Sequence, residues 1–277
     1  MIEGTPLSDP ATRQTVNLLG IDFDVIGLDE TVARVRRAAA LRQSLFLSTA
    51  NVNFAVLASQ DAAFRRSLDT SDLCVPDGAP IVWLARLMGL PLRQRVAGAD
   101  IFEALRYGAG DRLRIFFFGG PPGIASRAAE VINSEGRGMV CVGFESPGYG
   151  DVDSMSSPET IERINAARAD FVVVSLGAQK GQAWIVRNRE RLSAPVVSHL
   201  GAVVNFVAGE VLRAPQWMQR GGMEWAWRIW QEPALARRYA KDGLVLLTLV
   251  VREVWLRVRR RAKAPGDVLD DRPRLRR

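Results

Sequence analysis

From about residue 16 to residue 210, apolar runs of strand length alternate with amphipathic helical stretches. That rhythm points to a parallel α/β sheet flanked by helices. SLFLST, DLCV, RIFFFGG, MVCVGF, DFVVVSLG and PVVSHLG read as the strands. Between them LDETVARVRRAAALRQ, NFAVLASQDAAFRRSL, APIVWLARLMG, DIFEALRYG, PPGIASRAAEVINSEG, ETIERINAARA and GQAWIVRNRERL read as helices. Asp29 suits an N-cap for the first of these helices, and the prolines of PPGIAS suit the start of another.

The texture places the boundaries. Residues 1–15 are expected to be a flexible N-terminus and 16–210 a single core. Residues 211–262 are expected to form a helical C-terminal appendage, because PQWMQRGGMEWAWRIWQEPALARRYAKDG holds four of the seven tryptophans and many arginines. The spacing within EWAWRIW suggests a helix buried against the core. GLVLLTLVVREVWLRVRRRAK then passes from apolar to basic, and residues 263–277 read as a disordered basic tail. No apolar run reaches the roughly 18 to 20 residues of a membrane span, and no basic segment leads an apolar one at the N-terminus. The expected location is cytoplasmic.

Composition removes several classes of chemistry. One histidine, His199, and two scattered cysteines, Cys74 and Cys141, are too few for a zinc centre. His199 has no Gly-x-Ser-x-Gly turn to make it part of a serine hydrolase. The net charge of +7 is concentrated after Arg252, and charge alone suits nucleic acid or an anionic membrane equally. The apolar half that precedes the cluster favours the membrane.

In an open α/β sheet, ligands collect beyond the carboxyl ends of the strands. There the sequence delivers Thr49, Asn51 and Asn53, then Asp77 and Gly78, then Gly119 and Gly120. Ser175 and Gly177 follow, with Gln179, Lys180 and Gln182, and finally His199 and Gly201. Gly119 and Gly120 in FFFGGPPG suit either a phosphate at a helix N-terminus or a tight turn. Asp77 suits a base or a cap for the helix beginning near Ala79, and Thr49 and Asn51 also suit loop hydrogen bonding. Arg95 suits a ligand phosphate or a solvated surface. Asp151 and Asp153 form an Asp-x-Asp pair, but after SPGYG rather than a strand, so a loop or cap is expected and no metal.

Five blocks in one order carry a resemblance. TANVNF, PDGAPIVW, QRVAGADIF, FFFGGPPG and AGEVLRAPQWMQRGGMEWAWRIWQEPALARRY are similar to those of the WecG/TagA/CpsF glycosyltransferases. The resemblance implies a Rossmann-like core with a C-terminal appendage that helps close the site at the membrane. It implies no metal or other cofactor, a UDP-sugar donor, and a polyprenyl-diphosphate-linked saccharide as acceptor. The expected product belongs to cell-surface or exopolysaccharide synthesis. No nucleic-acid partner is implied, and a homo-oligomer is compatible.

By the same resemblance Asp77 is the general base, and Thr49, Asn51 and Arg95 fall in the substrate pocket. Gly78, Gly119, Gly120, Gly177, Lys180 and Gln182 join them as expected substrate-binding residues. Arg213 and Arg228 of the appendage are candidates for the departing diphosphate, with Arg220, Arg237 and Arg238 beside them. The chain departs from the family's Gly-x-Pro-Lys-Gln-Glu block, carrying Gln179, Gly181 and Gln182, and has Asn205 where an aspartate is common. Two competing classes are a nicotinamide-dependent enzyme, whose fingerprint glycines are misplaced here, and a non-catalytic basic binding protein, which leaves the strand-end residues without a role.

Overall fold

The computed structural model describes residues 13–263. The expected flexible N-terminus and basic tail lie outside that range, apart from Arg13–Thr15 and Lys263. The described chain opens with a hairpin that the sequence rhythm does not announce, β1 (Thr15–Leu18) against β2 (Ile21–Asp24), antiparallel. Its two-residue turn, Leu19-Gly20, has positive φ at both positions, which matches the twist of the strands it joins. Asp24 fastens the hairpin to the core, taking both arms of the Arg13 fork and the Cys74 N–H, each at 2.7 Å.

The body is a six-stranded parallel sheet. Its strands are β3 (Leu45–Ala50), β4 (Leu73–Pro76), β5 (Leu113–Gly119), β6 (Met139–Glu145), β7 (Phe171–Ser175) and β8 (Val196–His199), in the spatial order β4-β3-β8-β7-β5-β6. Every residue of β3, β4, β7 and β8 is buried. These strands are covered on both faces, so they read as continuous apolar runs rather than alternating ones. One face carries α1 (Leu28–Leu41), α5 (Gly98–Tyr107), α6 (Ile124–Glu135) and α9 (Val203–Val207). The other carries α2 (Val52–Gln60), α3 (Ala62–Asp69), α4 (Ala79–Leu87), α7 (Pro158–Ala166) and α8 (Ala178–Asn188). The expected α/β sheet with flanking helices is therefore present.

After α9 the chain forms the short α10 (Gln216–Arg220), then α11 (Glu224–Gln231) and the 29-residue α12 (Leu235–Lys263). Leu246, Leu249 and Val250 of α12 pack on the cluster that includes Phe54 of α2, so the appendage rests over the carboxyl ends of β3 and β4.

Three local expectations change. The N-cap of α1 is Gly27, and Asp29 stands in the first turn, where its charge meets the positive helix end. The prolines of FFFGGPPG precede their helix, because Pro121–Gly123 turn the chain before α6 starts at Ile124. No residue of α11 is buried, and Trp225 and Trp230 are exposed. The tryptophans thus do not enter the core. Trp227 stays at the surface, with its indole N–H on the Leu212 carbonyl at 2.9 Å.

Candidate active site

Three strand ends converge on Gly98, the first residue of α5. A β-carbon there would stand 3.3 Å from Thr49 Oγ1 at the end of β3 and 3.0 Å from Leu200 just beyond β8. The Gly98 N–H also donates to Asp77 Oδ2, at 3.4 Å, beyond β4. The Asp77 N–H is held by the Ala50 carbonyl, and the Pro76 carbonyl takes the Val96 N–H. The segment carrying Arg95 therefore runs on from the sheet edge and turns into α5.

These ends floor a cavity of about 770 Å³. Thr49, Asn51, Asp77, Gly78, Arg95, Gly177 and His199 line it from the core, and Glu224, Arg228, Arg238, Tyr239 and Asp242 from the appendage. Asn51 also serves as N-cap of α2, accepting the Phe54 N–H at 3.2 Å. Gly78 has φ +124°, a conformation open to glycine, which lets the chain leave Asp77 and enter α4 at once.

Asp77 is enclosed by the cavity walls. Burial pushes its carboxyl up to about 6, against the opposing pull of the Gly98 N–H and the Arg95 charge. Such a group exchanges a proton near neutral pH, as a general base must. His199 is also buried, and burial holds its imidazole below the usual value. Its Nε2 faces the Leu176 carbonyl, which only accepts, so Nε2 carries the proton and ties β8 to the loop before Gly177.

Arginine forks are not idle in this state. Arg95 pairs with Asp100 at 2.8 Å and with Glu224 of α11. Arg213 answers from the appendage, bonding Asp100 and Glu103 and facing Glu224 as a looser ion pair at 3.6 Å. These five residues fasten the appendage to the start of α5. Arg228 pairs with Glu232 and lies over the Phe206 ring.

Several expected residues stand away from the cavity. The Gly120 N–H is held by the Ser175 carbonyl, and a β-carbon on Gly119 would lie 2.7 Å from that same oxygen. Both glycines serve the turn that crosses β7, and neither lines the cavity. Gly119→Ala is expected to cost about 2–4 kcal/mol, from the strained φ of +103° and the backbone clash. Urea unfolding measures it, and wild-type stability would show that the turn relaxes.

Lys180 reaches the Gly150 carbonyl at 2.7 Å, and Gln182 is buried with its amide on Ser48. Arg213 meets the cavity wall only through Glu224. Gly181 is explained by His199, since any β-carbon there would come within 2.2 Å of the imidazole. Asn205 is outside the cavity, with Oδ1 buried and without a hydrogen-bond partner. Asp151 takes the Ser154 N–H at 2.8 Å, and Asp153 pairs with Arg187, so the Asp-x-Asp is a loop. Among the described residues, no three His, Cys, Asp or Glu side chains gather as a metal set.

A sequence model described as "Glycosyl transferase WecG/TagA/CpsF family" matches residues 16–261. The chain belongs to this family. An N-acetylglucosaminyldiphosphoundecaprenol N-acetyl-beta-D-mannosaminyltransferase of Bacillus spizizenii is 30% identical over 194 residues, covering 70% of this chain and 74% of its own. A protein of the same description from Bacillus subtilis is 29% identical, covering 75% and 79%. Among solved structures, a cysteine mutant of arylmalonate decarboxylase in its sulfate ion associated form aligns over 68% of this chain and 79% of its own, at 21% identity and a TM-score of 0.27. That likeness is too slight to carry an argument. This glycosyltransferase has lining residues that the strand-end reading missed, chiefly Glu224 and Asp242. Asp242 had a signal, as an acid on the stripe Tyr239, Asp242, Leu246 and Leu249, whose spacing marks one helix face.

Proposed function

We propose that the protein is an inverting glycosyltransferase that moves a sugar from UDP to a polyprenyl-diphosphate-linked saccharide, in cell-surface or exopolysaccharide synthesis. The sugar is N-acetylmannosamine or a related hexose or uronic acid. The observation that carries this reading is the Asp77 carboxylate, poised near pH 6 in a cavity that core and appendage close together. The names of the relatives support the choice of donor sugar and acceptor.

As the acceptor oxygen attacks the anomeric carbon, its proton passes to Asp77. The bond from that carbon to the diphosphate breaks, and UDP leaves with the electron pair. Thr49 and Asn51 border the same space and orient substrate hydroxyls. Arg95 and Arg228 meet the departing diphosphate by exchanging a carboxylate partner for a phosphate oxygen. Closure by the appendage excludes water that would otherwise hydrolyse the donor.

We assign residues 16–210 to the catalytic core and 211–262 to an appendage that docks on the cytoplasmic face of the membrane. Among the described residues, no helix is long and apolar enough to cross a bilayer. The inner face of α12 packs on the core, whereas Leu244, Leu247, Val251, Val254, Trp255 and Val258 of its outer face are all exposed. Arg252 and Arg259 flank that stripe, and Arg259 lies over the Trp255 ring. A helix apolar on its outward face and edged with cations suits an anionic bilayer surface.

A thermal-shift comparison tests the reading. UDP is expected to stabilise the protein where NAD and oligonucleotides do not. Transfer from a panel of UDP-sugars to short-chain polyprenyl-diphosphate acceptors is expected to persist in excess EDTA, with arginines in place of a metal ion. Loss in EDTA with recovery on adding Mn²⁺ or Mg²⁺ would overturn the metal-independent mechanism.

A further inference from the structure

Asp242 is a second cavity carboxylate with few donors around it. It is buried, at 6% exposure, on the inward face of α12. Its single side-chain partner among the described residues is Asn53 of α2, whose Nδ2–H donates to Oδ2 at 3.0 Å. Glu224 of the same cavity, by contrast, meets two arginines, and among the described residues no cation pairs with Asp242. An ionised carboxylate offers about four lone-pair positions, and leaving them empty in a buried site is costly. Asp242 faces the cavity, so a ligand carrying hydroxyl or amide N–H groups can fill the remainder.

The direction of entry says which ligand. Arg238 stands one helical turn before Asp242, also lines the cavity, and is exposed. The outward apolar stripe begins at Leu244, two residues beyond. A sugar tethered to the membrane through a diphosphate can set its diphosphate against the exposed Arg238 and its ring beside the buried Asp242, since both line the one cavity. We propose that Asp242, held in place by Asn53, determines acceptor specificity by taking hydrogen bonds from a neutral acceptor sugar, and that its charge turns away acceptors ending in a uronic acid. The proposal rests on the glycosyl-transfer reading of this cavity.

The test is steady-state kinetics on the full chain. Short-chain polyprenyl-diphosphate acceptors carry either an N-acetylhexosamine or a hexuronic acid, and donor and acceptor are varied separately. Wild type is expected to favour the neutral acceptor by roughly 100-fold or more in kcat/KM. Asp242→Asn is expected to raise the acceptor KM by roughly 10- to 100-fold, the worth of a charge-assisted hydrogen bond. The donor KM should stay within about twofold, and preference for the neutral acceptor should fall by roughly tenfold or more. An unchanged acceptor KM, or a rise in the donor KM instead, overturns the assignment. Should circular dichroism show the variant unfolded, Asn53→Ala decides in its place, with the same two readings. A wild-type protein that transfers no sugar to any acceptor overturns the glycosyl-transfer reading and the proposal with it.

Discussion

Asp77→Asn is expected to lower the transfer rate by roughly 10²- to 10⁴-fold, the usual contribution of a general base, while UDP still binds. Asparagine keeps the shape of the side chain and still accepts the Gly98 N–H, so the strand end and the start of α5 stay in place. What disappears is the site that receives the acceptor proton. Wild-type activity should rise with pH through about 6, the value to which burial pushes this carboxyl, and level off above it. The residual rate of the variant should lack that limb. A folded variant turning over at the wild-type rate would remove Asp77 from the mechanism.

The same shift has a consequence for stability, with a definite sign. The folded protein holds the Asp77 proton up to about pH 6, whereas an unfolded aspartate releases it near pH 3.9. As pH rises through that window, the unfolded state loses its proton first, and folding stability falls. Above about pH 6 the ionised carboxylate costs the fold on the order of 1–3 kcal/mol. Asp77→Asn is therefore expected to be more stable than wild type at pH 8, with the gap narrowing towards pH 4. Urea unfolding at the two pH values measures it. A variant less stable at pH 8 would mean that the carboxylate is held by partners rather than burdened by burial.

The second large effect is expected at the membrane. Changing Leu247, Val251 and Val254 together to glutamate should release the protein from anionic vesicles. All three side chains are exposed, so the fold loses little packing. Each apolar side chain contributes about 1.5 kcal/mol on burial in the bilayer interface. Three together amount to roughly 4 kcal/mol, or about three decades in partitioning. Repulsion between glutamate and anionic headgroups adds to that. Transfer to long-chain lipid acceptors should fall far more than transfer to short soluble analogues, because the cavity itself is untouched. High salt should release wild type only in part, since it screens the arginines but not the apolar stripe. Co-sedimentation reads both, and a triple variant that still pellets like wild type would remove the outer face of α12 as the anchor.

How much of this was legible in the chain differs from residue to residue. The buried strands were, because a strand covered on both faces is largely apolar, as Phe171–Val174 of β7 and Val196–Val197 of β8 are. Asp77 and Thr49 were legible as strand-end polar residues, since the pattern that marks a strand also marks where it stops. The hairpin β1–β2 was not, because TVNL and IDFD mix polar and apolar residues and present no continuous apolar run. FFFGGPPG left two readings open. Glycine is required alike by a phosphate turn and by a close backbone crossing, and only the Ser175 carbonyl beside Gly119 separates them.

Periodicity along the chain is local, and it determined which segments are strands and helices and which polar residues end them. Strand order is set by how the crossover helices pack, between segments far apart in sequence. That packing seats β8 between β3 and β7, so Leu200 meets Gly98 beside Thr49 and the cavity opens there rather than over Gly119 and Gly120. It also brings Asp242 to Asn53 across 189 positions. The sequence by itself specified the sheet and placed Asp77 at the end of one of its strands. Only the tertiary structure decided which carboxylates share a cavity with Asp77, because α12 is placed by the apolar surface it buries on α2, a contact that no local pattern encodes.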